Sequence, residues 1–271
     1  MTRGNSKAQL SQLIEASPRL DKQSQRIIER LRPVIEQSLQ FERQFAAKFR
    51  LDESFLRAAT AGRPKFDRPL QTLAKNGWFI SWWNTPVAWI YPLAGLFDTG
   101  HRERANRQLR KHFAEQTASI ENRLRKQFPR RAAILQKAFA AHRRHDYELA
   151  IPVFLIQADG IAREIIGGDV YSRRPGKRQK LKTFLKSISF GELQREMIEV
   201  LLLPMPLNAS TGDSALMRGV LSRHEILHGV QTKYASVINS YRAISWLQYV
   251  AAFEQQKDFA RCHHERKNAN G

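Results

Sequence analysis

One eight-residue segment, Ser222 to Gly229, supports two different chemistries; it reads Ser-Arg-His-Glu-Ile-Leu-His-Gly. On a helix His224 and His228 would lie one turn apart on one face, where both imidazoles could ligate zinc. Glu225 would then polarise a zinc-bound water. Arg223 and His228 instead combine a permanently charged guanidinium, which can hold phosphate oxygens, with an imidazole that can move a proton near neutral pH. The first pattern predicts a zinc hydrolase, and the second predicts chemistry on a phosphodiester.

Counting favours the zinc pattern, but a zinc site needs a third protein ligand. His-Glu-x-x-His arises by chance about 0.01 times in a chain of this composition, whereas Arg-x4-His arises about once. Arg107 and His112 form a second Arg-x4-His match. Tyr234 stands where an extended zinc motif would place its third histidine, and the first downstream carboxylate, Glu254, is far past His228. The spacing of residues therefore leaves both chemistries open.

The charge of the chain favours a polyanionic partner. The 271 residues carry 45 basic and 25 acidic side chains, which gives a net charge of +20. Residues 101–182 alone hold 20 Lys or Arg against 8 Asp or Glu. Such a field attracts polyanions and steers their approach. Nucleic acid is the first candidate, an anionic membrane surface is the second, and a basic surface without such a partner is the third.

The sequence predicts a folded cytoplasmic protein. A hydrophobic content of 42% is typical of a globular chain. Met1 to Gln12 is polar and does not read as a secretory signal. The single cysteine, Cys262, cannot form an internal disulfide and suits a reducing compartment. Residues 77–97 are strongly apolar, but Pro86 and Pro92 interrupt them, so we expect no membrane partner.

The segment from Ser222 to Gly229 must be positioned by helices, because apolar residues recur at helical spacing and no strand is convincing. The fold class predicted is all-α, a helical bundle with an N-terminal helical extension. The predicted domains are an extension over residues 1–76, the bundle over 77–262 and a polar tail over 263–271. The main predicted helices cover 19–50, 103–128 and 130–141 with a break at Pro129, 147–166, 192–203, 214–229 and 237–260.

Three further features require an interpretation. Asp159 and Glu164 lie on the most apolar helix, so their carboxylates need partners. Four of the five tryptophans fall in residues 77–97, which could be a base-stacking platform or an interfacial anchor, although a buried irregular segment is the favoured interpretation. A basic loop is the best candidate for direct phosphate contact, against the alternative of a merely solvated loop. Its basic residues are Arg173, Arg174, Lys177, Arg178 and Lys180.

Several segments together resemble the HEPN superfamily of helical ribonucleases, in particular uncharacterised bacterial proteins with an "NRHxxLHG" segment. The matching residues are Leu221 to Gly229, followed by Tyr241-Arg242-Ala243-Ile244, and the helix from Tyr147 to Gly160 with its Gln-Ala-Asp-Gly ending. The step Phe128-Pro129-x-Arg131 is also similar. The resemblance spans roughly residues 77–255, and this chain has Ser222 where the family usually has asparagine.

The resemblance implies a HEPN-like bundle and a metal-independent endoribonuclease without a cofactor. Such an enzyme cleaves RNA by attack of the 2′-hydroxyl and leaves a 2′,3′-cyclic phosphate, and it is expected to act as a toxin or a phage-defence effector. His228 would be the acid or base, Arg223 the phosphate clamp and His224 a polar assistant. Asp159 or Glu164 would orient one of these residues.

The resemblance also implies a homodimer with a composite active site. On an ideal helix Arg223 and His228 lie about 140° apart, which is poor geometry for one protomer acting alone. The implied partners are RNA, a second copy of the chain and an antitoxin or regulatory protein. Two alternatives stay open: a zinc-dependent hydrolase of peptidase type that uses His224, Glu225 and His228, and a non-catalytic nucleic-acid-binding or interaction protein.

Glu225→Gln separates the two catalytic chemistries. Glu225 is essential only as the base of a zinc site, so we expect this variant to keep any RNA cleavage of the parent chain. The measurement is the cleavage rate of the variant beside that of the wild type. A loss of activity together with stoichiometric zinc in the wild-type protein would instead support the hydrolase.

Overall fold

A long apolar stretch of the chain forms the central helix of the bundle. The computed structural model describes residues 66–81, 83–168, 181–184, 192–203, 205–208 and 220–254. Within them the central helix runs from Tyr147 to Ile166 and buries ten residues, among them Ile151, Phe154 and Leu155. Gly167 ends it in the left-handed conformation, with φ of 71°, which glycine adopts without steric cost. The predicted helix and its glycine end are confirmed.

Eight α-helices of the described residues are numbered in chain order. They are α1 (Asp67–Lys75), α2 (Ile90–Asp98), α3 (Arg102–Gln127), α4 (Ala132–Arg143), α5 (Tyr147–Ile166), α6 (Glu192–Glu199), α7 (Arg223–Leu227) and α8 (Val237–Ala251). Short 3-10 helices cover Val87–Trp89, Pro129–Arg131, Val200–Leu202 and Pro206–Asn208. No strand occurs among the described residues, so the predicted all-α class is confirmed.

Helices α4 and α8 pack on α5, and α3 packs on α4 and α8. The break that Pro129 predicts is confirmed, because α3 ends at Gln127 and a 3-10 turn precedes α4. Helix α8 buries eleven of its residues, including Trp246 and Tyr249, and therefore lies in the interior of the bundle. Its N-cap is Ser236, whose side chain accepts a hydrogen bond from the Asn239 backbone N–H at 3.2 Å.

The tryptophan-rich segment contributes to the core. Trp78 is fully buried, stacks on Phe113 and donates its indole N–H to Asn106 at 3.0 Å. Trp83 is half-buried beneath the guanidinium of Arg123, which lies 4.8 Å from the ring centroid. The favoured interpretation, a buried irregular segment, is confirmed for Trp78. Trp82 lies outside the described residues.

Helix α1 packs against α2 and α6, and its Leu70 and Leu73 belong to the same apolar core as the bundle. The rest of the predicted extension, residues 1–65, lies outside the described residues, as does the polar tail at 263–271. The domain boundary at residue 76 therefore stays a prediction. Among the described helices, none combines the length and the hydropathy needed to cross a lipid bilayer.

A proline within α5 ties a distant loop to the bundle. Pro152 has no backbone N–H, so the carbonyl of Glu148, one turn earlier, receives no hydrogen bond from it. The hydroxyl of Tyr234 donates to this carbonyl at 3.0 Å. The segment that leads from α7 to α8 is thereby attached to the first turns of α5.

Gly77→Ala should destabilise the fold more than Gly100→Ala. Both glycines have φ of 81°, but a Cβ at Gly77 would lie 2.7 Å from Val220 Cγ1, whereas a Cβ at Gly100 would meet no atom within 4 Å. We expect a loss of about 1–2 kcal/mol at Gly100 from backbone strain alone. At Gly77 we expect a further 1–3 kcal/mol, approximately, from the steric overlap.

The free energy of unfolding of both variants, measured in urea by circular dichroism, checks this difference. Gly100→Ala is the matched control, because it changes the same backbone conformation in open space. Equal losses in the free energy of unfolding of the two variants would show that the steric overlap with Val220 does not destabilise the fold.

Candidate functional site

Helix α7, which carries Arg223 and His224, has only five residues and depends on a cap. Ser222 is its N-cap: the residue has an extended backbone, and its hydroxyl accepts a hydrogen bond from the Glu225 N–H at 3.4 Å. Gly229, with φ of 73°, then turns the chain away from the helix. The position at which the HEPN-type segment usually has asparagine therefore has a capping role here, and serine and asparagine are both favoured N-caps.

The predicted helix, which Ser214 would cap and which would run to Gly229, is confirmed only over residues 223–227 of its described part. Residues 220–222 are not helical, and α7 begins only at Arg223. The physical reason is the side chain of Ser222, whose hydroxyl oxygen accepts a hydrogen bond from the Glu225 N–H while the Ser222 backbone is extended. The helix therefore begins after Ser222 and does not continue back before it. Residues 209–219 lie outside the described part of the chain.

The loop after α7 folds back onto the helix. The backbone N–H groups of Val230 and Gln231 both donate to the carbonyl of Glu225, at 2.7 and 3.1 Å. The side-chain oxygen of Gln231 accepts from the N–H of Ser222 at 3.3 Å. A one-turn helix is too short to be stable by itself, so these bonds hold the segment in shape.

Arg223 forms a two-point ion pair with Asp159 of α5. Its Nε donates to one carboxylate oxygen at 3.0 Å, and its Nη2 donates to the other. The two side chains are only 20% and 16% exposed, and burial lowers the pKa of Arg223. The pair fixes both the position and the plane of the guanidinium. Asp159, one of the two carboxylates singled out in the sequence, thus contacts the arginine of the motif.

His224 and His228 lie side by side. Their ring centroids are 4.4 Å apart, with an angle of 58° between the ring planes. His224 is half-buried and His228 is exposed. Because α7 ends at Leu227, His228 occupies its C-cap and not a second helical turn. The segment therefore brings two imidazoles together, one of them exposed, and the same short segment carries the oriented guanidinium.

The second carboxylate, Glu164, contacts a different arginine. Arg131 donates through Nη1 to Gln157 at 2.8 Å and through Nη2 to Glu164. Its guanidinium lies against Gly160, where a Cβ would come within 2.6 Å of the guanidinium nitrogens. Arg131 therefore spans the part of α5 that carries Asp159. The sequence had singled out Arg131 and the Gln-Ala-Asp-Gly ending only as points of resemblance, without a role.

The zinc alternative lacks a third ligand in the described part of the chain. No group of three His, Cys, Asp or Glu side chains there is arranged to hold a metal ion. Asp159, the carboxylate beside this segment, is engaged by Arg223. His224 and His228 are close enough to share a ligand, but they supply only two donors.

Two other sequence features have different outcomes. At the second Arg-x4-His match, His112 is buried, its Nε2 lies 3.1 Å from the hydroxyl of Thr85, and its ring packs on Trp89. It is a core histidine, so that match is not a surface site.

The basic loop with Arg173, Arg174, Lys177, Arg178 and Lys180 lies outside the described residues, and its proposed phosphate contacts stay a prediction.

Comparisons of the chain with protein-family models, with curated proteins and with solved structures gave no significant match. Membership of the HEPN superfamily therefore stays an expectation from the sequence. The chemistry of the segment must be inferred from the side chains and their geometry.

The ion pair between Asp159 and Arg223 should couple more strongly than an exposed pair in the same protein. The exposed pair is Arg144 with Asp146, at 3.0 Å with side chains 62% and 42% exposed. In double-mutant cycles to alanine we expect a coupling energy of about 1–3 kcal/mol for the first pair. For the second pair we expect below about 1 kcal/mol. Urea unfolding of the two cycles provides the measurement, and equal coupling energies would contradict a structural role for the Asp159 pair.

Proposed function

We propose that this protein is a metal-independent endoribonuclease of HEPN type. The observation that carries the proposal is the pair of features on the segment of α7: a guanidinium held in one orientation by Asp159, and two imidazoles in contact with each other, one of them exposed. The net charge of +20 supports an RNA substrate, because it attracts a polyanion.

Arg223 has the role of the phosphate clamp. A guanidinium is planar and carries five N–H donors, so a carboxylate can fix one edge while another edge engages phosphate oxygens. Asp159 orients Arg223 in this way, and Arg131 spans the turn of α5 that carries Asp159. The guanidinium would stabilise the negative charge that develops on the phosphate in the transition state.

The histidines have the role of moving protons. A base removes the proton of the 2′-hydroxyl, the O2′–P bond forms, and the bond from phosphorus to the 5′-oxygen breaks. An acid returns a proton to that 5′-oxygen, so the products are a 2′,3′-cyclic phosphate and a 5′-hydroxyl, and no metal or water is consumed. His228 is assigned to proton transfer because it is exposed, and His224, half-buried beside it, assists it.

The proposed active unit is a homodimer with a composite site. Arg223 is turned towards α5 by its ion pair, whereas His228 is exposed at the other end of α7. A second protomer could bring its own His228 to the phosphate that Arg223 holds. An RNA-cleaving enzyme also has to be controlled in its own cell, so an antitoxin or regulatory partner and a role in toxin or phage-defence systems are part of this proposal.

The non-catalytic alternative has one observation in its favour. Asp159 neutralises the charge of Arg223, as a structural ion pair would. In that case α7 would shape a nucleic-acid-binding surface without cutting, and cleavage assays separate the two functions directly.

Cleavage of single-stranded RNA in the presence of EDTA tests the proposal. We expect the wild type to cut and to leave 2′,3′-cyclic phosphate ends, because no metal takes part. His228→Ala should lower the rate about 10²–10⁴-fold through loss of proton transfer. Arg223→Ala should lower it about 10²–10³-fold through loss of charge stabilisation. Circular dichroism checks that both variants are folded.

Arg163→Ala is the matched control, because Arg163 is an exposed arginine of α5 outside the segment of α7, and it should stay near the wild-type rate. Cleavage that stops in EDTA, or that survives both Arg223→Ala and His228→Ala, would overturn the mechanism. RNA binding without any cleavage would favour the non-catalytic alternative.

Mixing the two inactive variants tests the composite site. If each site takes Arg223 from one protomer and His228 from the other, a mixed dimer contains one intact site. Random exchange should then restore about a quarter of the wild-type activity. No recovery after exchange of subunits, confirmed by a tag on one variant, would place both residues in the same protomer's site.

A further inference from the structure

The solvent-facing side of α3 carries a row of basic side chains. Helix α3 contains eight Lys or Arg residues and three Asp or Glu residues. Arg104, Arg107 and Lys111 are all exposed, and steps of three and four residues place them on one face of the helix. They extend over seven residues, which is about 10 Å along the helix axis. We call these three residues the α3 stripe.

The packing of α3 fixes the direction in which the stripe points. The opposite side of the helix buries Leu109, Phe113 and Leu124 in the core, and α3 packs against α4 and α8. The apolar residues of an amphipathic helix face the core, and its charged residues face water. The stripe therefore lies on the surface of the bundle. Glu115, an exposed residue one turn beyond Lys111, ends it.

Two tryptophans lie along one flank of this face. The ring centroid of Trp89 is 5.1 Å from that of His112, the helix residue next to Lys111. The guanidinium of Arg123 lies 4.8 Å from the ring centroid of Trp83. His112 and Arg123 are eleven residues apart, so they lie on the same side of α3, about three turns from each other. Trp83 and Trp89 are both half-buried, so each keeps part of its surface exposed.

Cations and indole rings on one surface are suited to a single strand of nucleic acid. A row of cations follows the phosphate backbone, and bases stack on aromatic rings or on the plane of a guanidinium. Exposed indole surface costs hydrophobic free energy, and stacked bases would recover it. Bases that are paired within a duplex present only their edges, so stacking on these rings requires unpaired bases.

We propose that the α3 stripe, together with Trp83 and Trp89, binds single-stranded RNA. Arg104, Arg107 and Lys111 contact neighbouring phosphates, and bases stack along the tryptophan flank. This inference rests on the proposed function for the choice of RNA. It goes further by naming the surface that holds the strand, whereas the residues of α7 act on the bond that is cleaved.

Binding of a single-stranded 2′-O-methyl oligonucleotide, which cannot be cleaved by 2′-hydroxyl attack, tests the stripe on the full chain. Fluorescence anisotropy gives the dissociation constant at several salt concentrations. The triple variant Arg104→Gln/Arg107→Gln/Lys111→Gln removes three phosphate contacts. We expect it to lower the slope of log K against log salt by about 2, and to weaken binding about 10²-fold at about 0.1 M salt.

The matched control is the triple variant Arg130→Gln/Lys137→Gln/Arg163→Gln, which removes the same charge from exposed positions outside α3. We expect this control to weaken binding less than about fivefold, because it changes only the long-range field. Circular dichroism checks that both variants are folded. Equal effects of the two triple variants would show that only the net charge matters and would overturn the proposal.

An abasic oligomer with the same number of phosphates tests the tryptophans. We expect the wild type to bind it about 10–10²-fold more weakly than the oligonucleotide, because the stacking of bases is lost. Trp83→Leu and Trp89→Leu should weaken binding of the oligonucleotide and leave binding of the abasic oligomer unchanged. Equal losses for both ligands would show that the rings only support the fold, and would overturn their assignment to base stacking.

An anionic membrane is the other partner that basic residues and tryptophans fit. Sedimentation with vesicles of phosphatidylserine and phosphatidylcholine tests it, and we expect the wild type and the stripe variant to bind these vesicles equally. Vesicle binding that depends on the stripe, with oligonucleotide binding that does not, would assign the surface to lipid and overturn the proposal.

Failure of this surface and failure of the ribonuclease function give different results. Oligonucleotide binding that depends on the stripe, in a protein that never cuts RNA, supports the surface and contradicts the proposed function. Cleavage that requires Arg223 and His228, in a protein whose oligonucleotide binding is indifferent to the stripe, supports the function and contradicts the surface.

Discussion

The ion pair between Arg223 and Asp159 is the interaction on which the candidate site depends. Helix α7 has five residues and cannot be stable by itself, so its direction is set by what its first residue contacts. The pair is largely withdrawn from solvent, with side-chain exposures of 20% and 16%, and a charge in such a position needs a well-aligned partner. Two-point contact provides that alignment. The orientation of the guanidinium therefore follows from one carboxylate on α5, while the cap and the loop bonds hold the rest of the segment in shape.

Helix α5 combines two demands that usually conflict. It is the apolar centre of the bundle, and it also carries Gln157, Asp159 and Glu164. Each of these polar side chains has an arginine partner from a distant part of the chain: Arg131 for the amide and Glu164, and Arg223 for Asp159. Gly160 leaves space for the first guanidinium to lie flat against the helix. Polar groups can stay on this helix because their hydrogen-bonding capacity is satisfied.

The sequence predicted the fold better than the site, for physical reasons. Helix α5 and the break at Pro129 follow from local signals, namely apolar periodicity, proline and glycine, and these were predicted correctly. Helix α7 was predicted too long, because its start is set by a hydroxyl that competes with helical hydrogen bonds. Asp159 and Glu164 are five residues apart on α5 and face different directions, so they pair with different arginines. Which arginine reaches which carboxylate depends on tertiary packing, and the spacing of apolar residues in the sequence carries no information about it.

Few hydrogen bonds attach the connection between α7 and α8 to the rest of the protein. The carbonyl of Glu225 accepts bonds from the backbone of the loop. The carbonyl of Glu148, which Pro152 leaves without its helical donor, accepts a bond from the hydroxyl of Tyr234. Residues between these points, such as Val230 and Lys233, are exposed. A segment with so few buried contacts opens locally at a lower free energy than the whole domain unfolds. The amide protons of this connection would therefore exchange with solvent through local opening of the loop, whereas those of α5 and α8 would exchange only when the whole domain unfolds.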